Sequence, residues 1–321
     1  KRFLLFLPIF LFILMLQPRF IFNVTEIILI TTVIGLIITL FFGYTGMGAK
    51  RWIRIGGFNL QISEFAKIAL VLFMAKYFHK LNAEKTIGLL RSILPLIISL
   101  IVFILVAIQP DLGTAVIILT LGLIAIFYAG INLIYPILSL IILGISSPFL
   151  WTLLKPYQQN RVMIFLNPDL DPLGKGYHII QSKIAIGSGG MRGNGFLGGS
   201  QSSLDFLPEK ETDFVFAIFS EQFGFTGSMV ILGLFLFLFL IPIFKSFFLT
   251  QVFNKLILFV LSFKIFFEFL INISMTIGLV PVVGVALPFM SYGGSSLLSN
   301  MIICALLINI MSISEKKRMF S

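Results

Sequence analysis

Charges beside or within long apolar runs are costly and so are candidates for function, and four places bring together side chains able to bind or move a charge. Glu64 and Lys67 are three residues apart, so on a helix they share one face and can either neutralise each other or engage a charged substrate. Gln109-Pro-Asp-Leu-Gly-Thr114 places Asp111 at the corner of a tight turn, where it can cap a helix or line a polar cavity. Leu207-Pro-Glu-Lys-Glu-Thr-Asp213 delivers a carboxylate to the mouth of an apolar run. Asp213 can cap that helix or, at a partly desolvated boundary that tunes its proton affinity, act as a general base. Glu221 follows two helical turns later, about 12 Å deeper on the same side. Lys264 and Glu268 stand at i and i+4 in mid-run, where mutual neutralisation and a proton or substrate path both account for two charges.

The elements that position these residues are set by composition. Of 321 residues, 58% are hydrophobic and 11% charged, and the mean hydropathy is +1.08, against roughly 45–50% apolar residues in a soluble domain. Lipid is the solvent such a chain requires, and in lipid every backbone group must be satisfied internally, which calls for helices of about 20 residues. The expected fold is an all-α polytopic bundle, read as a single domain over 1–321. The formal charge of +10 fits Lys and Arg gathered beside anionic headgroups. No basic stripe interleaved with aromatics appears, which argues against nucleic acid. Cys304 is the one cysteine, so no intrachain disulfide forms, and His79 and His178 lack neighbouring Cys for a zinc site. Without a Walker loop, a Gly-x-Ser-x-Gly elbow or a His-Glu-x-x-His helix, the chain lacks the machinery of ATPases and the familiar membrane proteases.

Nine apolar runs are predicted as spans, at about 3–17, 24–43, 65–80, 89–108, 112–130, 132–154, 214–243, 253–277 and 289–312. The first follows Lys1-Arg2 like a signal peptide but ends in Gln17-Pro18-Arg19 with no small-residue cleavage site, and so reads as a span. Three basic segments are separated by even numbers of spans and are expected to be cytoplasmic together: Lys76, Lys80, Lys85 and Arg91; Lys245 and Lys255; and Lys316-Lys317-Arg318. Lys50, Arg51 and Arg54 then fall outside, where basic residues are disfavoured, so that phosphate binding and headgroup contact are both open. The one long loop, 155–213, also falls outside, with six basic and six acidic residues, and its length implies function. Within it, Tyr177, Ile180 and Ile184 have the spacing of a helix lying in the membrane interface, and Gly187-Ser-Gly-Gly-Met-Arg-Gly-Asn-Gly195 can turn sharply.

Read in order, Gly48-Ala-Lys-Arg-Trp-Ile53, Gln61-Ile-Ser-Glu-Phe-Ala-Lys-Ile68, Gln109-Pro-Asp-Leu-Gly-Thr114 and Asn167-Pro-Asp-Leu-Asp-Pro-Leu-Gly174 resemble the SEDS family (shape, elongation, division and sporulation) of peptidoglycan polymerases. So do Gly176-Tyr-His-Ile-Ile-Gln-Ser182, Phe206-Leu-Pro-Glu209, Thr212-Asp-Phe214 and Pro288-Phe-Met-Ser-Tyr-Gly-Gly-Ser-Ser296. The forms around 171–182 and 206–209 are similar to the elongation (RodA) branch rather than the division (FtsW) branch. The family has ten spans, so the resemblance implies a further span before Lys1, in keeping with the absence of an initiating Met. Two positions depart from the pattern: Ile62 where Pro is usual, and Glu211 where His commonly precedes Thr-Asp. A carboxylate at 211 can raise the proton affinity of Asp213 or help hold a cation. Lys264 and Glu268 lie outside the pattern, which favours their structural reading.

The resemblance implies polymerisation of lipid II, a disaccharide-pentapeptide on undecaprenyl pyrophosphate, at the outer face of the bacterial cytoplasmic membrane. Asp213 would be the catalytic carboxylate, and Glu64, Lys67 and Asp111 would line the polar cavity beside it. Trp52 would sit in the outer segment that matters for activity. The expected step is removal of the acceptor GlcNAc 4-hydroxyl proton by Asp213 as that oxygen attacks the anomeric carbon of the donor MurNAc. Undecaprenyl pyrophosphate then leaves with inversion, its charge met by Lys50, Arg51, Arg161 or Lys183, or by a divalent cation, Mg or Mn. A class B penicillin-binding protein would supply the transpeptidase. A lipid II flippase is the alternative reading, and a secondary transporter, which usually shows internal repeats, comes third.

Overall fold

The structure is a computed structural model. It describes residues 2–46, 49–55, 58–81, 88–132, 134–154, 156–171, 174–196, 198–199 and 211–319. Eleven α-helices are found among these residues: α1 (Arg2–Met15), α2 (Pro18–Phe42), α3 (Ile62–Lys80), α4 (Leu89–Ile108), α5 (Leu112–Tyr128), α6 (Ile134–Leu153), α7 (Pro156–Leu166), α8 (Lys175–Ser188), α9 (Val215–Phe247), α10 (Val252–Thr276) and α11 (Gly294–Met319). Each of the nine apolar runs coincides with a helix, α1–α6 and α9–α11. By length and composition α2, α4, α9, α10 and the Gly294–Ser312 part of α11 suffice to cross a membrane. The long loop supplies α7 and α8, so its 175–188 segment is the helix that its apolar spacing predicts. The 206–209 motif, with Gly48, Lys85, Lys155, Pro172, Leu173, Asp205 and Lys210, lies outside the described residues.

What sequence periodicity did not announce is a three-stranded antiparallel sheet, β1 (Tyr44–Gly46), β2 (Ala49–Ile55) and β3 (Phe58–Gln61), in the order β1-β2-β3. Its register pairs Trp52 with Tyr44 on one side and with Gln61 on the other. Because successive side chains of a strand point to opposite faces, Arg51 and Trp52 emerge on different sides of β2.

The chain forms two compact units. The first comprises Lys1–Leu133, Leu238–Ile265 and Gly293–Ser321. At its centre is α3, packed by α2, α4, α5, α11 and β2 and buried nearly all round, from Ala66 and Ile68 to Met74, Ala75 and Phe78. A helix buried on every side shows little amphipathic pattern, and here its few polar residues are the informative ones. Lys76 pairs with Glu26 of α2, which Lys80 also approaches at 3.5 Å. Along α2, Thr25, Thr32 and Thr39 return their hydroxyl protons to the carbonyls of Ile21, Ile28 and Gly35, which keeps polar atoms satisfied inside an apolar helix.

The second unit comprises Ile134–Phe237 and Phe266–Tyr292. Pro168–Leu170 of the 167–174 motif form a 3-10 turn that packs against α7 and α8, and Asn167 accepts the N–H of Asp169. Ser182 of α8 donates to the carbonyl of Thr276, at 2.7 Å. A small core of Ala185, Phe214 and Ala217, flanked by Ile186, Ile218 and Val282, joins α8 to the start of α9. The helix α9 is broken at Gly224, whose φ of 64° and ψ of −164° suit a residue without Cβ. The glycine-rich segment folds back onto this break: Asn194 N–H donates to the Glu221 carbonyl, and Phe225 and Thr226 donate to the carbonyls of Gly190 and Met191.

Candidate active site

Asp213 occupies a turn directly ahead of α9 and is half-buried. Three contacts fix its backbone. Asn272, fully buried on α10, donates from Nδ2 to the Asp213 carbonyl at 3.0 Å and to the Val285 carbonyl at 2.8 Å. The Ser291 hydroxyl donates to the Thr212 carbonyl while accepting the Leu287 N–H. The Tyr292 N–H donates to the Glu211 carbonyl at 2.7 Å. The two main-chain stretches 211–214 and 285–292 are thereby clamped together by one amide, one hydroxyl and one peptide bond. The carboxylate itself faces Gly284: a Cβ built there would lie 3.4 Å from Asp213 Oδ2, and the φ of 74° at this glycine disfavours any other residue.

The cations proposed for the pyrophosphate divide between the units. Arg161 on α7 and Lys183 on α8 belong with Asp213. Lys183 is exposed, and its alkyl chain lies across Gly278, just beyond α10. Lys50, exposed, and Arg51 belong to the first unit. Glu221 is completely buried on α9, with the backbone of Gly199 against its carboxylate.

The first unit holds two linked polar clusters. At the sheet, Asp111 caps α5 by accepting the Thr114 N–H, and it is 2% exposed. Gln61 Nε2 donates to Asp111 Oδ2 at 2.9 Å and to Ser63 Oγ at 3.1 Å. Arg51 approaches Asp111 at 3.6 Å and donates to the Pro110 carbonyl at 3.1 Å. The capping role and the cavity-lining role expected of Asp111 thus concern one side chain held by three elements. Trp52, on the opposite face of β2, is half-buried, with the Arg51 guanidinium carbon 6.0 Å from its ring centroid. Below the sheet, Lys67 Nζ donates to Glu64 Oε1 at 2.7 Å, and Ser299 Oγ of α11 donates to Glu64 Oε2 at 2.9 Å. Both charged residues are buried.

Lys264 joins this cluster, which its spacing from Glu268 did not foretell. Its Nζ donates to Asn300 Oδ1 at 2.7 Å, and its charge acts on Glu64. Ser295 of the 288–296 motif ties the cluster to the sheet, accepting the Gln61 N–H and donating to the Asn59 carbonyl. Sequence reasoning passed over Asn272, Gly284, Ser299 and Asn300. The signal for the amides was their presence inside apolar runs, where an unsatisfied polar group costs several kcal/mol, roughly 2–7. No group of three or more His, Cys, Asp or Glu side chains converges among the described residues, and Glu211 is exposed.

Helices of this length and apolarity, a buried ion-pair cluster in the first unit and a carboxylate clamped at a helix entrance in the second define a polytopic helical membrane protein whose polar groups are gathered, within each unit, from segments far apart in sequence. Residues 2–316 match the FtsW, RodA and SpoVE family of cell cycle proteins, and the chain belongs to that family. The peptidoglycan glycosyltransferase MrdB of Escherichia coli K12 is 39% identical over 87% of this chain and 75% of its own. The peptidoglycan glycosyltransferase RodA of Treponema pallidum is 35% identical over 89% of this chain and 82% of its own. A chain from the solved structure of a peptidoglycan synthase complex that coordinates polymerization and crosslinking superposes with a TM-score of 0.83 at 30% identity, over 97% of this chain and 88% of that one.

Proposed function

We propose that this protein is a peptidoglycan glycosyltransferase of cell elongation that polymerises lipid II, with Asp213 as its catalytic carboxylate. The names of its relatives support the reaction class. The observation that carries the residue assignment is the clamp: Asn272, Ser291 and Tyr292 grip the backbone on both sides of Asp213 while Gly284 leaves room at its carboxylate. A base must be held within hydrogen-bond reach of the proton it takes, and this arrangement restricts the carboxylate without covering it with a side chain at 284.

In the reaction, Asp213 accepts the proton of the acceptor GlcNAc 4-hydroxyl as its oxygen bonds to the anomeric carbon of MurNAc. The bond from that carbon to the pyrophosphate oxygen breaks, undecaprenyl pyrophosphate departs, and configuration inverts. Lys183 and Arg161 are the cations that the fold favours for the leaving group, because they share a unit with Asp213 and Lys183 packs on the 277–292 segment. Glu64, Lys67, Asp111 and Trp52 bind and orient the lipid-linked sugars, and Arg51 acts by holding Asp111. The active site faces outward from the cytoplasmic membrane, where positive-inside counting places 155–213. A class B penicillin-binding protein is the partner that cross-links the product, a pairing supported by the polymerization and crosslinking of the similar complex.

The test uses purified protein in lipid vesicles, with lipid II polymerisation and lipid II translocation measured side by side for wild type and Asp213→Asn. Polymer from wild type only, with equal translocation backgrounds, is the expected result. Translocation without polymer from either protein would make the chain a flippase and end the proposal.

A further inference from the structure

The stretch 277–292, which sets Gly284 against the Asp213 carboxylate, carries a second glycine in the same backbone conformation. Gly278 has a φ of 74°, as Gly284 does, a region that L side chains avoid. It closes α10 in a Schellman turn, in which the Leu279 N–H donates to the Ser274 carbonyl at 2.7 Å and the Gly278 N–H to the Met275 carbonyl at 3.3 Å. The following carbonyl, that of Thr276, accepts the hydroxyl of Ser182 on α8. The next residue of α8 is Lys183.

Lys183 occupies the space that the missing side chain leaves. A Cβ built on Gly278 would lie 2.6 Å from Lys183 Nζ and closer still to its Cε, while Cγ2 of the buried Ile179 would stand at an ordinary 3.5 Å. A side chain at 278 therefore displaces the ammonium and little else. The Schellman turn accounts for the glycine, but it leaves the lysine laid over it unexplained. There the ammonium stands at the carbonyl end of α10, where the helix dipole favours a cation. Its other side is open: Lys183 is exposed, and among the described residues no carboxylate pairs with it. An ammonium carries three donors, so a cation anchored in this way can still meet a phosphate oxygen.

We propose that Gly278 is a positioning residue for the leaving group, seating the Lys183 ammonium so that a fixed cation meets the pyrophosphate of the lipid-linked donor. This rests on the assignment of Lys183 to that pyrophosphate. One stretch of chain then holds both ends of the displacement, the base against Gly284 and the leaving-group cation over Gly278. Six residues of chain span at most about 20–22 Å. Inversion puts the base and the leaving group on opposite sides of one carbon, and two seats on a single short loop fix their separation.

The full chain, purified in detergent, is assayed for lipid II polymerisation with undecaprenyl pyrophosphate added, and the inhibition constant of that product is measured. Lys183→Gln raises it about tenfold, the lower end of what a hydrogen bond to a charged group is worth. Gly278→Asn fills the seat with a residue that tolerates this backbone and raises the constant to a similar degree; Gly278→Ala, more strained, does the same in the molecules that fold. Combining Gly278→Asn with Lys183→Gln gives no more than the larger single effect, because both remove one interaction. Thermal unfolding separates seat from turn: the stability that Gly278→Asn loses is the same in the wild-type and Lys183→Gln backgrounds. A shift in Lys183→Gln with none in either Gly278 variant, or effects that multiply in the combined variant, would overturn the seat and leave the pyrophosphate assignment standing. No shift in Lys183→Gln would overturn both and make the lysine a cap of α10.

Discussion

Replacing Asn272 by Leu keeps the side chain close in volume and removes both of its donated hydrogen bonds, to the carbonyls of Asp213 and Val285. Each carbonyl left buried without its donor costs about 1–3 kcal/mol, so the clamp loses roughly 2–6 kcal/mol if neither finds a new partner. That is enough to let the 211–214 turn move rather than hold Asp213 against Gly284. A displacement on the order of 1 Å at a catalytic group costs about 10²-fold in rate. The expected result in a lipid II polymerisation assay is therefore a fall in kcat of about 10²-fold with KM for lipid II little changed, since Asn272 acts through Asp213 as a positioning residue. Asn272→Gln, which retains the donor, recovers part of the rate. Unaltered kcat in a folded Asn272→Leu protein would refute the claim that this amide positions the base. A matched fall in folded fraction and rate, with kcat per folded molecule intact, would refute it too.

Three other outcomes follow from the geometry. Lys67→Met leaves Glu64 buried without its nearest cation, a change that costs about 3–5 kcal/mol; thermal unfolding in detergent should drop sharply, and Glu64→Gln in the same chain should restore most of the loss. Gly284→Ala places a methyl group 3.4 Å from Asp213 Oδ2 at a φ of 74°, so it should lose about 1–2 kcal/mol of stability and polymerise more slowly than wild type. Gln61→Leu withdraws a donor from the buried Asp111 and should cost about 1–3 kcal/mol in the same unfolding measurement, with the loss absent once Asp111 is replaced by Asn.

The helices were legible because a membrane solvent demands long apolar runs, and the termini were approximate because caps and breaks are local. The last run, read from 289, becomes helical only at Gly294, after the stretch in which Ser291 and Tyr292 pin Thr212 and Glu211. The sheet has a signal of its own in the sequence: Trp-Ile-Arg-Ile and Phe-Asn-Leu-Gln are separated by Gly56-Gly57, the two-residue spacing of a hairpin, and Ile55 pairs with Phe58. Basic residues on both faces of β2 hid the alternation. Glu64, Lys67, Asp111 and Asp213 stood out as charges beside apolar runs. Asn272 and Gly284 bear no charge, and the partnership of Lys264 with Asn300 spans 36 residues, a distance over which helical spacing says nothing.

The most direct measurement is to incubate the purified protein with lipid II, wild type beside Asp213→Ala, and resolve the products on a gel. Long glycan strands from wild type, and none from Asp213→Ala, are the predicted result. Strands of equal length and amount from both would contradict the assignment of Asp213 as the catalytic base.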